Sequence, residues 1–270
     1  MKNQCVVLIT GASSGIGMAI GSYLSAHGHH VIGTSRTPAK YPNHPFSLVS
    51  MNLLDDASIQ SVIHDIVAHH QRIDVLINNA GMGMAGPLAE LDMAPIDTII
   101  DTNLKGPIRL MQHVIPVMLQ QQSGRIINVA SIAGNNGLPF RSIYSASKAA
   151  LMRVSESLRL ELRHTPIQCA VLSPGSIQTP IANNRYYAPL KEDSPYYAQF
   201  KKSLEDMDAH VEKGLLPEMV ARKVARLLQV KKLKPHYSVG PWIERFSAVL
   251  KFFMPQRTYE NLLASFYNLN

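Results

Sequence analysis

Two hydrophobic patterns alternate along the chain. Short apolar runs of strand length occupy Val6–Thr10, His30–Ser35, Ser47–Asn52, Val75–Asn78, Arg125–Ala130 and Gln168–Ser173, with a weaker run at Tyr237–Val239. Between them, Ile16–His27, Ala57–His70, Asn103–Gln121 and Tyr144–Arg163 carry apolar residues at helical spacing, so each buries one face. Continuous apolar runs suit strands covered on both sides. The order strand, helix, strand predicts right-handed crossovers, hence an α/β fold with a parallel sheet and helices on both faces. The alternation stops after Pro180. Residues 181–216 are rich in Tyr, Lys and acids and contain Pro189 and Pro195, so they read as a lid inserted in a single domain. Trp242, Ile243, Phe246, Val249, Leu250 and Phe253 then form a helical stripe within a C-terminal helical extension over about 241–270. That stripe closes a pocket or packs on another subunit; lying on a membrane surface is the alternative.

Composition narrows this picture. The 270 residues are 46% hydrophobic and 17% charged, enough for a sizeable core and too apolar for wholesale disorder. No apolar stretch reaches the ~18 residues of a spanning helix. Val6-Val7-Leu8-Ile9 follows the start with no basic region and cleavage site before it, and reads as a first strand rather than a signal peptide. Cys5 and Cys169 lie far apart in apolar runs and read as free thiols of a reducing compartment. A cytoplasmic protein is expected, with peripheral membrane contact as the variant. The net charge of +7 resides entirely in residues 213–270, where ten basic side chains meet only Glu218, Glu244 and Glu260. A solvated helical face explains such a tail; anionic lipid or an acidic partner are the other readings. Nucleic acid is not expected, because no recognised binding module accompanies the charge. The histidine groups His27/His29/His30 and His69/His70 fall at helix ends and suggest no metal site.

Chemistry enters directly after the first strand. In Gly11-Ala12-Ser13-Ser14-Gly15-Ile16-Gly17 a helix begins inside a glycine-rich loop. Glycines let backbone approach a pyrophosphate closely, and a helix N-terminus offers free N–H groups and a positive dipole end. This is a dinucleotide cradle, with the spacing G-x-x-x-G-x-G rather than G-x-G-x-x-G. The second strand ends in Ser35-Arg36 with no acid. An acid there bonds the adenosine ribose and selects NAD, whereas Arg accommodates a 2′-phosphate. NADP(H) is therefore favoured over NAD(H), unless Arg36 stacks beside adenine or faces solvent.

Tyr144 and Lys148 are four apart in a helical segment and share one face. A phenol titrates at ~10, and a neighbouring ammonium lowers that value towards working pH. Tyr144 can then act as acid in ketone reduction and as base in alcohol oxidation. Ser131 follows the strand ending at Ala130, at the carboxyl end where α/β sites gather, and can hold the substrate oxygen.

Taken in order, Thr10-Gly11-x-x-x-Gly15-x-Gly17, Asn78-Asn79-Ala80-Gly81, Asn103, Ser131, Tyr144-x-x-x-Lys148 and Pro174-Gly175 resemble the short-chain dehydrogenase/reductase family over residues from about 5 to 180. The general layout, with its long C-terminal extension, is similar to hydroxysteroid and retinol dehydrogenases. The resemblance implies one Rossmann-type domain over 1–270, a doubly wound sheet of seven parallel strands, and a homo-dimer or homo-tetramer. It implies that Gly11, Ser13, Ser14, Gly15, Ile16 and Gly17 hold the pyrophosphate, and that Asn79, Ala80 and Gly81 line the cofactor floor, with Asn78 structural. Relatives place an aspartate on the adenine amino group near the end of the third strand; Asn52, followed by Leu53, stands there, with Asp55 as the alternative. Asn103 would complete a tetrad by holding a water that relays protons to Lys148, unless it caps the helix at Leu104. Lys148 would bond the nicotinamide ribose. In Pro174-Gly175-Ser176-Ile177-Gln178-Thr179, the Ile177 backbone and Thr179 hydroxyl would orient the carboxamide.

The expected function is hydride transfer between NADP(H) and a carbonyl or alcohol of a small hydrophobic substrate. Its pocket would be formed by Met82–Leu88, Ala133–Arg141 and the lid, with Met82, Met84, Leu138, Phe140, Tyr186, Tyr187, Tyr196, Tyr197 and Phe200, unless these pack the lid itself. A 3-oxoacyl (carrier protein) reductase is the alternative enzyme, its basic tail receiving an acidic carrier. A non-catalytic NADP(H)-sensing protein is the alternative of another class, and the intact Asn103, Ser131, Tyr144 and Lys148 argue against it.

Overall fold

The computed structural model describes residues 4–179 and 185–269. Its elements in chain order are β1 (Val6–Ile9), α1 (Gly15–Ala26), β2 (His30–Ser35), β3 (Ser47–Ser50), α2 (Asp56–His70), β4 (Val75–Asn78), β5 (Gly83–Ala85), α3 (Met93–Ile100), α4 (Gly106–Gln120), β6 (Gly124–Val129), α5 (Ser142–Glu161), β7 (Ile167–Pro174), β8 (Arg185–Tyr187), α6 (Tyr197–Glu212), α7 (Pro217–Gln229), β9 (His236–Val239), α8 (Trp242–Phe253) and α9 (Gln256–Phe266). Seven strands form one parallel sheet in the order β3-β2-β1-β4-β6-β7-β9. From β1 the chain winds outward one way through β2 and β3, then returns to β4 and winds the other way. The crevice at that reversal, beyond the carboxyl ends of β1 and β4, is where α/β sheets bind ligands.

Period-two alternation explains why the strand sequences look uniformly apolar. Val7 and Ile9 of β1 and Ile77 of β4 point into one layer, against Ile20 and Leu24 of α1 and Val220 and Val224 of α7. Val6 and Leu8 of β1 and Leu76 of β4 point into the other, against Ile59 and Ile63 of α2 and Leu110 and Val114 of α4. Both sides of the sheet are therefore covered, and neither side needs polar residues.

Three segments depart from the sequence reading. The helix expected from Asn103 begins at Met93 and runs through a π-turn at Asp101–Lys105 into α4. Asn103 therefore lies inside a helix and caps nothing. The region expected as a lid contains β8, which pairs in parallel with β5, and α6; residues 181–184 of that region lie outside the described residues. Asp55 is the N-cap of α2, accepting from Ala57 N at 3.0 Å.

Candidate active site

A cavity of about 600 Å³ lies along the carboxyl ends of the central strands and continues beneath α8 and α9. At one end it is lined by Gly11, Ser13, Ser14, Gly15 and Ile16, then by Ser35 and Arg36, Asn52 and Leu53, and Asn79, Ala80 and Gly81. Ser131, Tyr144 and Lys148 stand at its middle, with Pro174, Gly175, Ile177 and Thr179 opposite. Gly17 and Asn103, also expected in the site, sit behind its walls.

The cradle is built by close packing. Gly11 has φ +62°, and a Cβ there would lie 2.9 Å from Ala80 Cα. A Cβ on Gly17 would meet Gly11 O at 2.4 Å and Asn79 Nδ2 at 2.5 Å. Gly17 therefore lets α1 press against the loop and has no ligand to touch. Thr10 Oγ1 accepts from Asn79 N at 3.0 Å and Ala80 N at 2.9 Å, joining the ends of β1 and β4. Ser14 caps α1 without a side-chain bond, and no acid occupies the first turn. The positive end of α1 is thus left facing the cavity, as an anion site requires. Arg36 is exposed at the end of β2, with no ion pair among the described residues. Asn52 lines the cavity and Asp55 does not; Asn52 Oδ1 accepts from Leu54 N at 3.1 Å.

Asn103 is fully buried in the π-turn, a feature that often marks functional helices. Its Oδ1 accepts from Met82 N at 2.8 Å, and its Nδ2 donates to Met82 O at 2.9 Å and Ser147 Oγ at 3.1 Å. Both amide hydrogens are used in holding Met82 and α5. Holding a water would fall to the second lone pair of Oδ1 or to the backbone carbonyl.

Lys148 is buried, and its Nζ donates to Val129 O at 3.1 Å. Burial pushes its pKa down to about 8. Tyr144 is half-buried in the cavity wall, and burial pushes the phenol pKa up. A hydrogen bond with Ser131 opposes that rise, as do the charges of Arg141 and Arg185. The expectation that the Lys148 ammonium depresses the Tyr144 pKa is therefore not met in this geometry. The two side chains share a face of α5, but Lys148 is turned to the Val129 carbonyl.

Beyond Ser131 the walls become apolar. Met82, Met84 and Leu138 line the cavity as expected. Phe140, Tyr187 and Phe200 instead pack with Ala85, Ala188 and Met207 in a separate cluster that fixes the β5–β8 pair to α6. Tyr186, Tyr196 and Tyr197 do not line the cavity either, because β8 and the start of α6 direct them elsewhere. The remaining wall comes from residues the sequence did not single out for it: Met207 and Val211 of α6, and Leu262, Leu263 and Phe266 of α9. From the C-terminal stripe, Ile243, Phe246 and Leu250 of α8 also line it. Glu244 was equally unforeseen. It accepts from Ser176 N at 2.8 Å and Ser176 Oγ at 2.6 Å, fastening α8 to the segment after β7 across 68 positions of sequence. Two guanidinium groups, Arg141 and Arg185, complete the substrate end; Arg141 Nε is buried without a hydrogen-bond partner among the described residues.

Residues 5–188 match the short chain dehydrogenase family. A 3-ketodihydrosphingosine reductase of Bacteroides thetaiotaomicron is 33% identical over 263 residues, covering 97% of each chain. A short-chain dehydrogenase of Streptomyces avermitilis superposes with a TM-score of 0.79 at 28% identity, over 100% of this chain and 98% of that one. The actinorhodin polyketide ketoreductase solved with NADPH superposes with a TM-score of 0.72 at 28% identity, over 88% of this chain and 97% of its own. Because the family match runs from β1 through β8, and a short-chain dehydrogenase superposes along the whole chain, this chain belongs to the short-chain dehydrogenase family of oxidoreductases.

Proposed function

We propose that this chain is an NADP(H)-dependent oxidoreductase acting on a carbonyl or alcohol of a long-chain, lipid-like substrate, with Tyr144 handling the proton. The observation that carries the reading is one cavity in which Ser131, Tyr144 and Lys148 face a wall of apolar side chains from α6, α8 and α9. The similarity to a reductase of a long-chain sphingoid ketone supports the substrate class, and the ketoreductase with NADPH supports the cofactor.

The residues fit a nicotinamide dinucleotide. The α1 N-terminus with Ser13, Ser14, Gly15 and Ile16 would hold its pyrophosphate, Ser35 and Arg36 its 2′-phosphate, and Asn52 and Leu53 its adenine. Asn79, Ala80 and Gly81 would form the floor, and Gly175, Ile177 and Thr179 would orient the carboxamide. The bound nicotinamide supplies or takes the hydride. Ser131 Oγ holds the substrate oxygen and stabilises the charge that develops on it. The Tyr144 hydroxyl donates its proton to that oxygen in reduction and accepts it in oxidation. Lys148 bonds the nicotinamide ribose, its ammonium steadied by the Val129 carbonyl. Asn103 positions Met82 and α5 around the pair.

The pH dependence follows from burial. Reduction needs Tyr144 protonated and Lys148 charged. Burial raises the pKa of the first and lowers that of the second to about 8. Lys148 is thus an ammonium below about 8 and loses its proton first as pH rises. We expect kcat/KM for reduction to fall roughly tenfold per pH unit above that value, with the slope of a single deprotonation. A profile that stays flat well beyond it removes the Lys148 charge from the mechanism.

NADPH oxidation with a series of ketones of increasing chain length tests the substrate class. Each methylene buried in the cavity contributes about 0.8 kcal/mol, so kcat/KM should rise up to about fourfold per methylene until the wall ends. A flat series, or a preference for short polar ketones, overturns it. The second reading, a 3-oxoacyl (carrier protein) reductase, draws on Arg141 and Arg185, which suit an anionic group at the substrate end. It predicts preference for the carrier-bound thioester over the free ketone, with activity that falls as salt rises.

A further inference from the structure

We propose that the outer face of α8, with the adjoining edge of α9, docks on an anionic lipid bilayer, and that substrate enters the cavity from that surface. The inference rests on the lipid-like substrate argued above.

Helix α8 is packed inside out. A surface helix ordinarily turns its apolar stripe to the core and its polar stripe to water. Here the polar groups face the protein: Glu244 binds Ser176, Lys251 Nζ donates to Asn135 O at 2.8 Å, and the Ser247 carbonyl accepts from the buried Tyr259 at 3.2 Å. Three aromatic side chains face outward, Trp242 72%, Phe246 53% and Phe253 82% exposed. Turning the helix over would break these bonds, so the exposed aromatic side chains are buried only by an outside partner.

The same face surrounds the cavity mouth. Ile243 and Phe246 on α8 and Leu262 and Phe266 on α9 line the cavity, yet each is about half exposed. An apolar molecule leaving a bilayer would therefore pass from lipid to cavity wall without crossing water. A second copy seated on this face would cover that mouth, which argues for lipid as the occupant.

Charge points the same way. Arg245 and Arg257 are exposed on these two helices, while Lys251 is held by the Asn135 carbonyl. Of the acids, Glu244 is turned inward to Ser176, leaving only Glu260 exposed, hydrogen-bonded by Gln256 at 2.8 Å. Lys231, Lys232 and Lys234 precede β9, at the opposite end of the sheet, and add nothing here. Aromatic residues flanked by cations, on a helix too short and polar to span, describe a helix that lies in the headgroup region.

Trp242 is the sole tryptophan, so its fluorescence reports this face directly. The full chain is titrated with phosphatidylcholine vesicles, with and without phosphatidylglycerol. We expect a blue shift and cosedimentation with the anionic vesicles, at least tenfold weaker binding to the neutral ones, and release by salt. The double variant Trp242→Ala/Phe253→Ala, at positions outside the cavity lining, should lose at least tenfold in cosedimentation while turnover of a short soluble ketone stays unchanged. Absence of any vesicle-induced shift or sedimentation overturns the proposal. So does a Trp242 blue shift that grows with protein concentration without lipid, together with an oligomer that dissociates in the double variant by light scattering; that result assigns the face to a second copy. Turnover of a long-chain ketone in detergent micelles separates the two readings. Micellar turnover without vesicle binding rejects docking alone, whereas vesicle binding without long-chain turnover supports docking and rejects the substrate class.

Discussion

Tyr144→Phe is expected to cut turnover by about a hundred- to ten-thousandfold while leaving NADPH affinity within about twofold, the signature of removing a proton donor and little else. The ring remains, so the cavity side of α5 keeps its packing. What disappears is the hydroxyl held by Ser131 between the Arg141 and Arg185 charges. Those partners offset part of the cost of burying the phenolate that forms when the proton leaves. Ser131 cannot replace it, because a serine hydroxyl is a far weaker acid. Stopped-flow measurement of a single turnover, beside NADPH fluorescence titration, separates the two terms. Equal losses in binding and turnover would mean that Tyr144 mainly shapes the site. An unchanged rate would transfer the proton to another group, and absence of turnover in both proteins with binding intact would favour a cofactor sensor.

The sheet was legible in the sequence because its strands are buried on both faces, as Val6 to Ile9 show by dividing alternately between two layers. The cradle was legible because close approach leaves only glycine at Gly11 and Gly17. Tyr144 and Lys148 were legible as a helical pair, but their electrostatics were not. Spacing on a helix says that two side chains share a face, and says nothing of the Val129 carbonyl that draws Lys148 away. The start of the helix before Asn103 was missed because Pro95 and the adjacent Ile99 and Ile100 blur the helical period, and a π-turn shifts it again. The stripe on α8 was visible, yet a period reveals a face without revealing what lies against it. Glu244 carried no local signal, since its partner Ser176 lies two helices and two strands earlier.

That last contact ties the C-terminal helices to the proposed cofactor site. Glu244 grips the segment that would orient the carboxamide, while neighbours on α8 form the substrate wall. One helix thus sets the distance between the two halves of the cavity, which is why the stripe serves the pocket at its edge and remains exposed along its centre.

Arg36→Ala should lower kcat/KM for NADPH by roughly ten- to 150-fold, the worth of about 1.5–3 kcal/mol for charged hydrogen bonds, and leave NADH within about twofold. A 2′-phosphate is a dianion, and Arg36 would meet it with a planar fork at the end of β2 that no carboxylate shares among the described residues. Ser35 Oγ accepts from Thr37 N at 3.2 Å, which leaves its own hydrogen free to donate to the phosphate. Arg36 is exposed, so salt weakens the contact and the comparison belongs at low ionic strength. Stacking of Arg36 on adenine gives a different result, because adenine is common to both cofactors: NADPH and NADH would then lose alike. Arg36→Lys sharpens the distinction, since it keeps the charge and loses both the fork and the flat face. Retention of most NADPH preference in the lysine variant would mean that charge alone selects the phosphate, and its loss would assign the preference to the bidentate geometry.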